Sequence, residues 1–162
     1  MARQLWLLRH GEAEPHGARS DADRRLTARG EAQSALAGRA LAALGCSFAH
    51  AFTSPKVRAR DTALLAAPPL GVDPIDHAPL AAGFSRGDAL ELVQVLGVDE
   101  RLLVVGHEPD FSQVVHDLTG ARVDFKKGGV AGIRMEGTRG GELIVLLRPR
   151  EIEAVTAAAA HP

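Results

Sequence analysis

Cysteine is almost absent from this 162-residue chain. Cys46 is the one thiol, so no disulfide can form within the chain and no thiolate metal cluster can be assembled from it. A reducing compartment is the natural setting for such a sequence. Long apolar runs are also missing, and none approaches the ~20 residues needed to cross a bilayer. Residues 1–8 are too short for a secretion signal, and Arg3 and Arg9 bracket their apolar run with charge. The seven histidines never fall in an HxH or HExxH spacing, which removes common metal signatures. No excess of basic charge exists either. The formal net charge is -1, whereas a general nucleic-acid binder needs cations to displace counterions. Gly128, Gly129, Gly132, Gly140 and Gly141 do not make a GxGxxG turn after a first strand, so dinucleotide binding of that kind is excluded. These absences predict a cytoplasmic protein with no cofactor, no metal, and neither nucleic acid nor membrane as partner.

The composition that remains, 46% hydrophobic and 24% charged, is that of an ordinary globular chain. Its length suits a single domain spanning 1–162. Gln4 to Leu8 is an unbroken apolar run, as expected of a strand buried on both faces. A helix is predicted from Ala28 to Leu44, started by Thr27 and ended by Gly45, with Ala32, Leu36, Ala40 and Leu44 on one face. Phe48 to Thr53 reads as a strand and Val57 to Ala67 as a helix. Pro68 to Pro79 reads as a surface connection. A helix over Gly87 to Leu96, a buried strand over Arg101 to Gly106 and a short helix over Phe111 to Leu118 follow. Gly129 to Met135 and Glu142 to Leu147 read as adjacent strands, and Glu151 to Ala160 as a last helix. Alternating strands and helices predict an α/β three-layer sandwich with a mostly parallel central sheet flanked by helices.

In such folds, ligands bind beyond the carboxyl ends of the strands. Three predicted strands end in polar residues: Arg9-His10, Ser54 with Arg58 just beyond, and His107. If the strands run parallel, these groups converge. Together they suit a phosphoryl group, which needs an in-line nucleophile and donors on its equatorial oxygens. Imidazole is a competent nucleophile near neutrality, its reference pKa being ~6.5. Arginine forks match phosphate oxygens. Gly11 allows the backbone to come close, and a helix N-terminus following it would favour an anion. His50, inside a strand, reads as structural, His77 as solvated, and Cys46, with no activating partner, as inert.

Four blocks carry a family resemblance. Leu8-Arg9-His10-Gly11-Glu12 resembles the signature of the histidine phosphatase superfamily, which includes the cofactor-dependent phosphoglycerate mutases. Leu26-Thr27 with Gly30 and Gln33 is similar to its LTxxGxxQ helix start. Ser54 to Thr62 resembles its SPxxRAxQT block, with Asp61 replacing the usual Gln. Val105 to Pro109 is similar to its second-histidine block. The resemblance implies a phosphoglycerate mutase-like fold and a phosphorylated His10, with Arg9, Arg58 and His107 completing the phosphate pocket. Arg24 matches a position often basic in the family and is expected to touch substrate, as are Gly11 and Glu108.

The short interval from Arg58 to His107, the His107-Glu108-Pro109-Asp110 run and the Phe125 to Ala131 stretch resemble the compact SixA-type phosphohistidine phosphatases. Other members carry a glutamate general acid two residues after a leucine in the middle segment, where this chain has Leu80-Ala81-Ala82. An alkoxide leaves poorly without that acid, whereas a phosphoramidate nitrogen can be protonated beforehand. The resemblance therefore implies a phosphohistidine-bearing signalling or carrier protein as substrate. Small phosphorylated metabolites, or a non-catalytic phosphate-binding role, are the alternatives. Glu108, Asp110, His16 and His77 are candidate substitute proton donors, although Glu108 also suits a helix cap.

Overall fold

The computed structural model describes residues 2–161. Its elements run β1 (Gln4–Arg9), α1 (Ala28–Ala43), β2 (His50–Thr53), α2 (Val57–Ala66), β3 (Pro74–Asp76), α3 (Arg86–Val93), β4 (Arg101–Gly106), α4 (Asp110–Thr119), β5 (Val130–Glu136), β6 (Gly140–Leu147) and α5 (Pro149–Ala160). The six strands form one sheet in the order β3-β2-β4-β1-β5-β6. β1 to β4 are mutually parallel, and β5 runs antiparallel to both β1 and β6. No described helix is long and apolar enough to cross a membrane.

β1 and β4 lie at the centre, covered on both sides, which is why Leu5 to Leu8 and Leu102 to Val105 are continuously apolar rather than alternating. Leu5, Leu7 and Val104 face a core that includes Leu92 of α3 and Phe111 and Val114 of α4. Trp6, Leu8, Leu103 and Val105 face the opposite core, which includes Leu41 of α1, Ala63 of α2 and Ile152 of α5. This is the three-layer sandwich expected from the alternation of elements.

Two expectations need correction. The segment from Pro68 to Pro79 is not only a connection. Pro74–Asp76 adds an edge strand, pairing Ala51 with Pro74 and Thr53 with Asp76. Proline is tolerated there because it opens a strand that has no neighbour on its outer side. The face that α1 buries is also shifted from the expected one. Ala40 is buried and Leu36 half-buried as expected, but Leu44 is 48% exposed and Ala32 is exposed, while Gly30, Ser34, Ala37, Gly38 and Leu41 are buried. Backbone contact rather than side-chain bulk selects this face. A Cβ on Gly38 would lie 2.2 Å from the Ala66 carbonyl oxygen of α2, and one on Gly30 would lie 1.9 Å from that of Glu12. Only glycine permits either approach.

The ends of β1, β2 and β4 are level: Arg9 is opposite Gly106, and Thr53 is opposite Val105. Residues following these strands therefore emerge side by side. Gly38→Ala tests the α1–α2 contact. In a free helix the change gains about 1 kcal/mol. Here it should instead cost roughly 1–3 kcal/mol through overpacking, read as a lower urea midpoint. A midpoint that stays or rises would show that the two helices separate without penalty.

Candidate active site

His10 begins where β1 stops. Its N–H donates to the Gly106 carbonyl at 3.0 Å, tying the chain to the end of β4. Its ring nitrogen Nδ1 lies 2.7 Å from the Gly11 carbonyl oxygen. A carbonyl oxygen only accepts, so Nδ1 carries the proton and Nε2 keeps its lone pair. The ring is buried, and burial pushes its pKa down to about 4. The Gly11 carbonyl opposes that shift, while Arg58, Arg9 and Arg24 add to it. At neutral pH His10 is thus an uncharged imidazole with a defined nucleophilic nitrogen.

Gly11 acts on His10 rather than on a ligand. Its N–H donates to Thr62 Oγ1 at 3.1 Å, and a Cβ at this position would lie 2.4 Å from the Gly30 carbonyl oxygen. Its amide is therefore already engaged, and the chain beyond it enters a loop rather than a helix. The anion-binding helix N-terminus expected directly after Gly11 is therefore not there. Thr62 Oγ1 itself donates to the Arg58 carbonyl at 2.7 Å, and Ser34 Oγ lies 3.1 Å from it.

The structure brings Arg9, Arg24, Arg58 and His107 together with His10 around a cavity of about 250 Å³. Arg9 is fixed by the Phe125 carbonyl at 2.7 Å. Arg58, on the first turn of α2 and only 5% exposed, donates to the Asp21 backbone oxygen at 2.7 Å. Arg24 donates to the Glu14 carbonyl at 2.7 Å and is buried rather than lost in a solvated loop. The Asp21 carboxylate meets Lys56 at 2.9 Å, Arg24 at 3.1 Å and Arg58 at 3.4 Å. Lys56 above all, with Arg58 and Arg24, holds that carboxyl far below its ordinary range. Asp21 was not legible as a site residue, because it sits in a short 3-10 turn without a motif of its own.

The His107 ring centroid is 5.2 Å from that of His10. Its Nε2 lies 2.7 Å from Ser54 Oγ, which also accepts from the Lys56 N–H at 3.2 Å. When Ser54 donates to Nε2, the ring proton resides on Nδ1. Burial first, then His10 and Arg58, push the His107 pKa down to about 3, so this ring is neutral too. Among the described residues, buried Arg9 Nε, Arg58 Nε and His107 Nδ1 have no hydrogen-bond partner in the protein. Buried donors without partners are costly, and an anion in the cavity would satisfy donors of this kind.

The remaining candidates divide. Glu108 lines the cavity, but its two oxygens accept from the Ser112 N–H and Oγ–H, each at 2.7 Å, so it caps α4. Asp110 accepts from the N–H groups of Gly83 and Phe84. His16 lies on the cavity lining, strongly exposed, with Nδ1 4.0 Å from Asp21. His50 stacks on Phe52 and His77 lies tilted against the same ring, and neither lines the cavity. Cys46 is half-buried at the end of α1, and burial raises its pKa. No cluster of three or more His, Cys, Asp or Glu among the described residues is placed to hold a metal.

The family model of the histidine phosphatase superfamily (branch 1) matches residues 5–82. An uncharacterised protein of Picosynechococcus sp. is 34% identical over 91% of this chain and 97% of its own length. The protein histidine phosphatase SixA, solved with tungstate, superposes with a TM-score of 0.82 at 24% identity, covering 92% of this chain and 99% of SixA. A mycobacterial glucosyl-3-phosphoglycerate phosphatase gives 0.71 at 16% identity, covering 90% and 98%.

Two measurements check the site. Imidazole NMR should place the His10 titration near pH 4 rather than near 6.5. Because the unfolded chain takes up protons from about pH 6.5 and folded His10 does not until about pH 4, stability should fall as pH drops through that interval. A midpoint near 6.5 would contradict the buried, neutral ring. Thr62→Val removes the acceptor of the Gly11 N–H and should cost about 1–3 kcal/mol in urea unfolding.

Proposed function

This chain belongs to the histidine phosphatase superfamily, and from that premise we propose that it hydrolyses phosphohistidine on a protein through a covalent phospho-His10 intermediate. His10 Nε2 attacks phosphorus while the phosphorus–nitrogen bond of the substrate breaks. The leaving imidazole departs neutral because its ring was protonated before cleavage. Arg9 and Arg58 hold the equatorial oxygens, His107 Nδ1–H donates to the same group, and Arg24 adds positive charge. Water then attacks phospho-His10, releasing inorganic phosphate and restoring the imidazole. No step in this scheme draws on a cofactor.

One observation carries the choice of leaving group: the carboxylates lining the cavity are already engaged. Glu108 is held by Ser112. Glu14 accepts from the Arg25 N–H at 2.8 Å and from Arg19 Nε at 2.9 Å, and these bonds lower its pKa. The Leu80–Phe84 segment, where the resemblance implies an acid in other members, contributes nothing to the lining. An alkoxide would lack a carboxylic acid to protonate it, while a phosphoramidate needs none. The fold shared with SixA supports the same reading.

A second reading, hydrolysis of small phosphorylated metabolites, is favoured by His16. This exposed imidazole on the lining is placed to give a proton to a leaving alkoxide oxygen, which departs as the alcohol. A non-catalytic phosphate-binding role is the weaker reading, since binding alone has no use for a neutral His10 with a free Nε2.

Phosphorus NMR of enzyme quenched during turnover should show a phosphoramidate signal that His10→Ala abolishes. Turnover that survives in His10→Ala would remove the covalent mechanism. Arg58→Ala should lower kcat/KM about 100-fold, or ~3 kcal/mol of transition-state stabilisation. In a panel of phosphohistidine peptide, alkyl phosphate and aryl phosphate, kcat/KM should be highest for the peptide. A preference for the alkyl ester that disappears in His16→Ala would select the metabolite reading.

A further inference from the structure

A second cavity of about 480 Å³ adjoins the phosphoryl pocket and shares Arg9 and Lys127 with it. It is cationic. Arg29 from the start of α1, Lys126 and Lys127 from the loop before β5, and Arg148 and Arg150 around the start of α5 line it, against Glu12. Local carboxylates neutralise some of these groups. Lys126 pairs with Asp124 at 2.8 Å, and Glu151 meets Arg148 at 2.8 Å and Arg150 at 3.6 Å. Arg29 and Lys127 have no carboxylate within 4.0 Å among the described residues. A chain of net charge -1 has thus gathered positive charge on one side of its nucleophile. Such a concentration steers and holds anionic partners.

The cleft does not stop there. A third cavity of about 180 Å³ shares Arg29, Gln33 and Pro149 with it and follows the seam between α1 and α5 over Ala32 and Leu36, with the buried Ile152 as its floor and Glu153 at its side. The track therefore begins at His10, passes through cations, and ends on the apolar side chains of Ala32 and Leu36 with one carboxylate, Glu153, beside them. A small phosphorylated molecule would be held by the first cavity alone. Among the described residues no aromatic side chain lines the cationic cleft or the seam, so the aromatic platforms on which single-stranded nucleic acid stacks are missing there.

We propose that this track is a docking groove for an acidic amphipathic helix of the phosphorylated protein, its carboxylates on Arg29, Lys127 and Arg150 and its apolar side on the α1–α5 seam. The proposal rests on the phosphohistidine reading and supplies the means of recognising the partner. Selection then comes from the groove, and the phosphoryl pocket needs no specificity beyond the phosphoryl group itself.

The test is binding without turnover. The probe is a fluorescein-labelled, unphosphorylated helical peptide with glutamates along one side and leucines along the other, compared with the same peptide carrying glutamine. The expected anisotropy result is binding of the glutamate peptide at least ~10-fold tighter, weakening with salt. Arg29→Glu with Arg150→Glu should abolish that preference, and the two glutamine replacements should reduce it partway. Arg39→Glu, about 15 Å further along α1, should leave it unchanged, and circular dichroism confirms that each variant is folded. Equal binding of both peptides, or an undiminished preference in the double reversal, would overturn the proposal. So would an equal loss in Arg39→Glu, which would reduce the effect to net charge. Tighter binding of a short single-stranded oligonucleotide would also overturn it, in favour of nucleic acid. Because the probe carries no phosphoryl group, this result is independent of whether phosphohistidine is hydrolysed, and failure of either idea leaves the other readable.

Discussion

The site depends on one hydrogen bond, from His10 Nδ1 to the carbonyl oxygen of the next residue at 2.7 Å. It puts the imidazole proton on Nδ1 and leaves Nε2 with its lone pair. A backbone carbonyl can do this only if its peptide is held still, and three elements converge on Gly11 to hold it. Thr62 of α2 takes its N–H, the Gly30 backbone of α1 lies against its Cα, and the end of β4 anchors His10 beside it. Gly30 of α1 is therefore part of the support of the His10 ring as much as of the fold. A side chain at Gly30 would meet the Glu12 backbone and push α1 away from the loop that orients the ring, and one at Gly38 would push α1 away from α2.

Around this neutral ring stand cations that repel one another and have lost part of their hydration. Burial lowers the pKa of both Arg9 and Arg58. Asp21 offsets the repulsion by accepting from Lys56, Arg24 and Arg58 at once. Its carboxylate is half-exposed, so it orients the guanidinium groups without the full desolvation that a buried ion pair would entail. Positive charge is thus kept in place before any phosphoryl group arrives, which is the preorganisation that electrostatic catalysis requires.

The path from pocket to partner follows from the same layout. α1 begins beside Gly11, and α5 packs along α1. The basic residues at their starts therefore border the nucleophile without belonging to the phosphoryl pocket. In the proposed reading a protein substrate is recognised there while the chemistry at His10 stays generic.

Several features were legible in the residues themselves. Continuous apolar runs at Leu5–Leu8 and Leu102–Val105 identify strands covered on both sides, because only such strands dispense with alternation. The polar residues that end those runs identify the edge where ligands bind, and His10, Arg9, Arg58 and His107 do meet there. What periodicity misplaced was the face of α1. It follows side-chain bulk, whereas the packing is decided by glycine and serine at backbone contact. The edge strand at Pro74–Asp76 escaped because three residues beside prolines carry no pattern.

The sequence by itself determined which groups are present: an imidazole and arginines at strand ends, and no acid at Ala82. Only the tertiary structure decided their states. Asp21 reaches Arg58 across 37 positions, and Gly11 reaches Thr62 across 51. Glu108 is turned into a cap by Ser112, and the desolvation that keeps His10 and His107 neutral comes from the surrounding protein. Protonation, tautomer and charge balance depend on distances in space, and those distances are set by contacts far apart in the chain.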